Sequence, residues 1–205
     1  MSQFLHIHPE TPQARLIAQA ADAVRKGGLV IYPTDSGYAL GGRLGEKKVV
    51  ERIRRLRELD ERHPMTLVCA DLSGISTYAH IDNSVFRVLK AHTPGPYTFI
   101  LDATNEVPRQ LLHPKRRAIG VRIPECAIAR ELLVMLDEPL MSVTLITPGD
   151  DGPLTDPNDI RERYERQVEV IIDGGAGDHR PTSVVDLRAL PFQVLRRGKG
   201  DLSSF

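Results

Sequence analysis

The sequence predicts a single α/β domain in which a twisted sheet of mixed parallel and antiparallel strands is flanked by helices. A length of 205 residues suits one domain and allows about 70% of the unfolded chain's surface to be buried. Hydrophobic residues make up 41% and charged residues 26%, an ordinary globular balance that argues against disorder or a coiled coil. Short apolar runs alternate with stretches of helical period and then follow one another near the C-terminus. That order predicts a sheet that is parallel where helices intervene and antiparallel at its last edge. One domain over residues 1–205, with its body at about 14–200, is expected.

Thr11 and Pro12 read as the N-cap and first position of a helix whose apolar face is Leu16, Ile17, Ala20, Ala21 and Val24, and Gly27-Gly28 ends it. Leu29-Val30-Ile31-Tyr32 is a buried strand that opens at Pro33 into a loop running to Gly42. Val49, Val50, Ile53 and Leu56 form a second amphipathic helix whose polar side carries Arg52, Arg54, Arg55 and Arg57. Strands are expected at 66–69, 97–101, 119–123 and 140–146, with helices around Phe86 and Leu89 and from Ile128 to Leu136. Asp156-Pro157 repeats the cap-then-proline start, and closing strands are read at 168–172, 183–187 and 192–195. Asp150-Asp151-Gly152-Pro153 is an exposed loop with too little chain after it for a second domain.

Net charge is zero over 27 basic and 27 acidic residues, but the signs are segregated. Lys115, Arg116 and Arg117 are consecutive, Arg196, Arg197 and Lys199 lie near the end, and acid gathers at Asp150, Asp151, Asp156 and Asp159. Such blocks can give a neutral protein one positive face that attracts phosphates, or can be solvated helix surface. No apolar run is long enough to cross a bilayer and the N-terminus lacks a signal-peptide pattern, so a cytoplasmic protein without membrane contact is expected. Cys69 and Cys126 are distant and outside any Cys-x-x-Cys pair, so both read as buried free thiols. His6 and His8 have no acidic or cysteine partner nearby, and no metal site is expected. A phosphate-binding loop of the Gly-x-x-x-x-Gly-Lys-Ser/Thr type is absent.

Three segments concentrate binding chemistry. Pro33 to Gly42 places Thr34, Asp35, Ser36 and Tyr38 beside glycines at a strand end, as a ligand loop or a hydrogen-bonded turn would. Arg122 sits between Val121 and Ile123 in an apolar strand, where an arginine is costly without an anion; its planar fork favours a ligand carboxylate or phosphate over an internal ion pair. Thr182 and Ser183 bring two hydroxyls to a strand entrance, and Arg196 and Arg197 bring two guanidiniums.

In this order, Gly28 to Tyr38, Pro94-Gly95-Pro96-Tyr97-Thr98, Gly120 to Pro124, Thr182 to Asp186 and Leu195 to Gly198 resemble the YrdC/YciO family, the domain of threonylcarbamoyl-AMP synthases, over nearly the whole chain. The resemblance implies a YrdC-like sheet with a concave basic groove, RNA binding (tRNA or double-stranded RNA), and synthesis of threonylcarbamoyl-AMP from L-threonine, bicarbonate and ATP with magnesium for modification of tRNA adenosine 37. ATP and Mg2+ are thus implied, with no tightly bound cofactor. By the same resemblance Thr34 and Tyr38 would meet the threonine, Arg122 its carboxylate, Thr182 and Ser183 its polar end, and Arg57, Ser142 and Arg196 the nucleotide. Arg54, Arg55, Lys115, Arg116, Arg117 and Arg197 would form one RNA-binding surface. The family's catalytic tetrad is altered: its lysine and arginine appear as Arg57 and Leu59, its serine and asparagine as Ser142 and Thr144, and a frequent histidine as Cys69. That pattern resembles the YciO branch, leaving Arg57, Ser142 and Thr144 as the catalytic set. It also leaves open an RNA-binding module without synthase activity, or a threonylcarbamoyl-AMP hydrolase.

Overall fold

A computed structural model describes residues 2–60, 63–112, 117–150 and 152–205. The strands are β1 (Gln3–His6), β2 (Val30–Thr34), β3 (Gly37–Arg43), β4 (Thr66–Val68), β5 (Tyr97–Asp102), β6 (Ala118–Arg122), β7 (Leu140–Thr144), β8 (Val170–Asp173), β9 (Ser183–Asp186) and β10 (Gln193–Arg196). The helices are α1 (Ala14–Arg25), α2 (Lys47–Arg57), α3 (Leu72–Tyr78), α4 (Asn83–His92), α5 (Ala127–Leu136) and α6 (Pro157–Tyr164).

The expected elements form, with three differences. Helix α1 starts after Gln13 rather than Thr11, because the Thr11 backbone N–H donates to His8 Nδ1 at 3.1 Å and the Thr11 hydroxyl lies 3.0 Å from the same atom. Its apolar face is still buried through Ile17, Ala20, Ala21 and Val24. The second half of the Pro33–Gly42 segment is a strand, β3, and not a loop. Asp35 and Ser36 make a tight reversal, Gly37 takes a φ of 109° that other residues rarely adopt, and β3 then pairs antiparallel with β2 from Thr34↔Gly37 to Val30↔Gly41. Beta propensity misses it because glycine is a poor strand former, yet Gly42 is needed here: a Cβ would come within 2.5 Å of Val49, so α2 can lie close on the sheet. Strand β1 and helix α3 are short elements that periodicity does not reveal; α3 is capped by the Asp71 carboxylate, which accepts from the Gly74 N–H at 2.8 Å.

The ten strands form one sheet in the order β1-β8-β2-β3-β7-β4-β6-β5-β9-β10. Pairs β1–β8, β8–β2, β4–β6 and β5–β9 are parallel, the others antiparallel, including the terminal β9–β10 pair. One face is apolar along the sheet's length, with Ile31, Leu40, Met141, Leu67, Val121, Phe99 and Val185 packed with Val49 and Ile53 of α2, Ile75 of α3 and Leu89 of α4. On the other face Val30, Tyr32, Ala39, Leu140 and Val68 form a separate core with α1 and α5, which pack on each other. Those two helices cover the β1-β8-β2-β3 half. On the β7-β4-β6-β5-β9 half of that face, Leu140 and Val68 still join the core of α1 and α5, and the side chains beyond them face a cavity.

Candidate functional site

Successive side chains of a strand point to opposite faces, so alternate residues of neighbouring strands share the uncovered face. Ser142 and Thr144 of β7, Thr66 and Val68 of β4, Gly120 and Arg122 of β6, Thr98 and Ile100 of β5, Thr182 and Val184 at β9, and Arg196 of β10 line one cavity of about 260 Å3. Thr34, Ser36 and Tyr38 of the β2–β3 turn, Arg57 at the end of α2 and His63 complete its polar wall.

Arg122 ends β6 beside Val68 and is ion-paired through Nη2 with Asp35; the two side chains are only 10% and 8% exposed. The other Asp35 oxygen accepts from the Glu125 N–H at 2.8 Å, while the Asp35 carbonyl accepts from Lys199 Nζ at 2.6 Å. Arg122 therefore has the internal partner that its sequence context disfavoured, and it still lines the cavity. Its Nε is buried and hydrogen-bonded to none of the described residues.

Arg196 donates from Nε to the Thr182 carbonyl at 3.0 Å and from Nη2 to Thr182 Oγ1 at 2.9 Å; that oxygen is 2.9 Å from Thr98 Oγ1. Burial, then the charge of Arg122, lowers the pKa of Arg196. Arg57 donates from Nε to the Thr144 carbonyl at 2.8 Å and from Nη1 to the Ile146 carbonyl, and burial lowers its pKa also. The guanidinium thus fixes the end of β7 at the cavity wall.

Several hydroxyls are already engaged. Ser142 accepts from the Tyr32 hydroxyl at 2.9 Å and donates to the Leu40 carbonyl at 3.3 Å, and burial pushes the Tyr32 phenol up to about 12. Thr34 donates to the Gly37 carbonyl at 2.6 Å and accepts from the Ser36 N–H at 3.2 Å. Tyr38 donates to the Gly175 carbonyl at 2.7 Å and accepts from the Gly174 N–H at 3.3 Å; burial raises its pKa.

Ser183 does not line the cavity with Thr182, because consecutive strand residues face opposite ways. It is fully buried, donates to the Gly200 carbonyl at 2.7 Å and accepts from the Gly198 N–H at 3.1 Å, tying down the C-terminal turn. Leu59 follows Glu58, whose φ is 50°, and its N–H donates to the Arg54 carbonyl at 2.9 Å while Glu58 N–H reaches the Arg55 carbonyl at 3.4 Å. This helix-ending motif calls for an apolar residue at Leu59, which packs on the core. Cys69 is buried on the opposite side of the sheet, and burial pushes its thiol up to about 12.

Four of the six proposed RNA contacts lie among the described residues. Arg54 donates to the Gln110 carbonyl at 3.1 Å, Arg55 is exposed, and Arg117 donates to Asn105 Oδ1 at 2.6 Å. Arg117 precedes Ala118, opposite Asp102 at one end of the strands, whereas Arg197 follows Arg196, opposite Val184 at the other end. Lys115 and Arg116 lie outside the described residues.

Motif reading does not mark Thr66 and His63, gives Thr98 and Gly120 no role although they fall in the quoted motifs, and misses the pairing role of Asp35; all but Asp35 line the cavity. The usable signal is a hydroxyl residue on the same strand face in successive strands: Thr66, Thr98, Ser142 with Thr144, and Thr182. Among the described residues no group of three His, Cys, Asp or Glu could hold a metal ion, and no helix is long and apolar enough to cross a membrane.

The Sua5/YciO/YrdC family profile, described as telomere recombination, matches residues 22–198. YciO of Escherichia coli strain K12, an uncharacterized protein, is 51% identical over 205 residues, the full length of both chains. Its crystal structure has a TM-score of 0.95 and covers 99% of this chain and 98% of its own. The threonylcarbamoyl-AMP synthase of Pyrococcus abyssi is 29% identical over 181 residues, 87% of this chain and 53% of that protein. The structure of Pyrococcus abyssi Sua5 complexed with L-threonine has a TM-score of 0.88 at 26% identity, covering 96% of this chain and 58% of that one. The chain belongs to the Sua5/YciO/YrdC family.

Proposed function

We propose that the cavity is a basic groove for L-threonine and an adenine nucleotide, and that the protein forms threonylcarbamoyl-AMP from L-threonine, bicarbonate and ATP for modification of tRNA adenosine 37. One observation carries this reading: Arg57, Arg122 and Arg196 converge on a floor of hydroxyls across an uncovered sheet face. Arg57 and Arg196 have no carboxylate partner among the described residues and Arg122 shares Asp35, so a ligand carboxylate together with phosphates would complement the three. Support also comes from the related synthase and from the relative that binds L-threonine.

In this reading Arg122 takes the amino acid's carboxylate through the donors that Asp35 leaves free, and Arg196, held by Thr182, takes a phosphate. Arg57 has two of its donors on the carbonyls of Thr144 and Ile146, which leaves it the weaker phosphate ligand. With Leu59 in place of a second cation, the rate is expected to be low. Magnesium finds no carboxylate among the described lining residues, so in this reading the ion would arrive on the nucleotide's phosphates. RNA would approach the cavity from the edge where Arg197 follows Arg196.

The test is calorimetry with L-threonine, followed by incubation with ATP, L-threonine, bicarbonate and magnesium while pyrophosphate and adenylate are read by mass spectrometry. Binding with slow adenylate formation is expected. Binding without synthesis, together with loss of supplied threonylcarbamoyl-AMP, would replace synthase by hydrolase, and absence of threonine binding would overturn the reading.

A further inference from the structure

We propose that His63 is the proton acceptor of this site, taking the proton released when the amine of the bound amino acid is joined to bicarbonate. The inference rests on the proposed function and adds to it the group that handles the proton.

Forming a carbamate from an ammonium and bicarbonate makes one N–C bond and breaks the C–OH bond of bicarbonate. The departing hydroxyl leaves as water with one proton of the ammonium, and the nitrogen keeps the pair that forms the new bond after shedding a second proton. That second proton needs an acceptor. Among the described residues lining the cavity, Arg57, Arg122 and Arg196 are cations and no carboxylate is present. Tyr38 has its hydroxyl engaged with Gly175 and Gly174, and a phenol that must first be deprotonated is no base at neutral pH. Asp35 is not a lining residue and its two oxygens serve Arg122 and Glu125. His63 lines the cavity, is exposed, and has no ring nitrogen bonded to a described residue, so its lone pair is available.

The surroundings keep that imidazole unprotonated. Burial of its inner side, then the charge of Arg57, lowers its pKa, with Asp60 opposing and Arg54 adding to the effect. The cations that line the cavity, Arg57, Arg122 and Arg196, disfavour the ammonium form of a bound amino acid, which eases the transfer. Exposure lets the imidazolium return its proton to solvent after each turnover, as a histidine shuttle requires.

The experiment measures adenylate formation against pH for the parent and His63→Ala, with L-threonine affinity read by calorimetry and with imidazole added to the variant. The parent rate should rise with pH through a pKa below the ordinary histidine value and then level. His63→Ala should lose that limb and about a hundredfold or more in rate, while threonine affinity changes by no more than about twofold and imidazole restores part of the rate. A variant that keeps the limb and most of the rate, or a loss that imidazole does not relieve, overturns His63 as acceptor and leaves the synthase reading standing. A parent that makes no adenylate overturns both.

Discussion

Asp35→Ala removes the buried partner of Arg122. Both side chains are nearly inaccessible, at 8% and 10% exposure, and Arg122 Nε already has no described partner. Solvent therefore cannot take over from the missing carboxylate, and stranding one member of such a pair costs about 3–5 kcal/mol. The Glu125 N–H loses its acceptor in the same change. At about 2–4 °C per kcal/mol for a chain of this size, the melting temperature should fall by about 6–20 °C. Asp35→Asn, whose single carbonyl oxygen keeps an acceptor for one of Arg122 and the Glu125 N–H, should fall less. If Arg122 receives a ligand carboxylate, L-threonine should raise the melting temperature more in Asp35→Ala than in the parent, because only the variant has an unpaired guanidinium to satisfy. Thermal unfolding by circular dichroism with and without L-threonine measures both effects. An Asp35→Ala protein melting within about 2 °C of the parent would refute the argument that this pair is buried and mutually dependent.

Arg122→Lys keeps a charge opposite Asp35 but loses the planar fork, and should weaken L-threonine binding by about 1.5–3 kcal/mol in calorimetry; an unchanged affinity would remove Arg122 from the site. A Cβ at Gly120 would lie 3.3 Å from Thr66 Oγ1 and from Thr98 Cγ2, so Gly120→Val should obstruct the cavity floor and abolish threonine binding, with thermal unfolding confirming that the chain is folded. Thr144→Asn restores one member of the tetrad without disturbing the helix end at Leu59, and should raise adenylate formation by about tenfold, or about 1.4 kcal/mol; no gain in a folded variant assigns the slow rate elsewhere. Cys69, with its thiol pushed up to about 12 and 1% exposed, should react with iodoacetamide only as fast as the protein opens, while rapid native-state alkylation at neutral pH would contradict its burial. Arg55→Ala and Arg197→Ala should each lower the log-log salt slope of RNA binding by about one or less in electrophoretic shift titrations, and negligible affinity in low salt would return both to solvated surface.

The α/β class, the face of α1, the second helix with its arginine block and most strands were legible in the residues alone, because each rests on a local period or a local cap. It also carried the motifs that mark the family, and through them Thr34, Arg122, Thr182 and Arg196, which the fold brings to one cavity. What sequence could not determine is set by distance and by facing. Strand β3 was hidden because glycine is a poor strand former, and the need for Gly42 appears only where α2 presses on the sheet. Ser183 and Thr182 look equivalent in a row of two hydroxyls, and only the pleat sends one to the cavity and the other to the C-terminal turn. Asp35 and Arg122 are 87 residues apart, and their pairing exists only once β2 and β6 are placed in the same sheet. Arg117 and Arg197 were grouped by charge, yet the strand register sets them at opposite ends. The uncovered half of the sheet is the deepest case. It arises because α1 and α5 pack on each other over β2 and its neighbours and reach only as far as Leu140 and Val68, so that the rest of that face lines the cavity, an outcome of which helix packs where that no local pattern records.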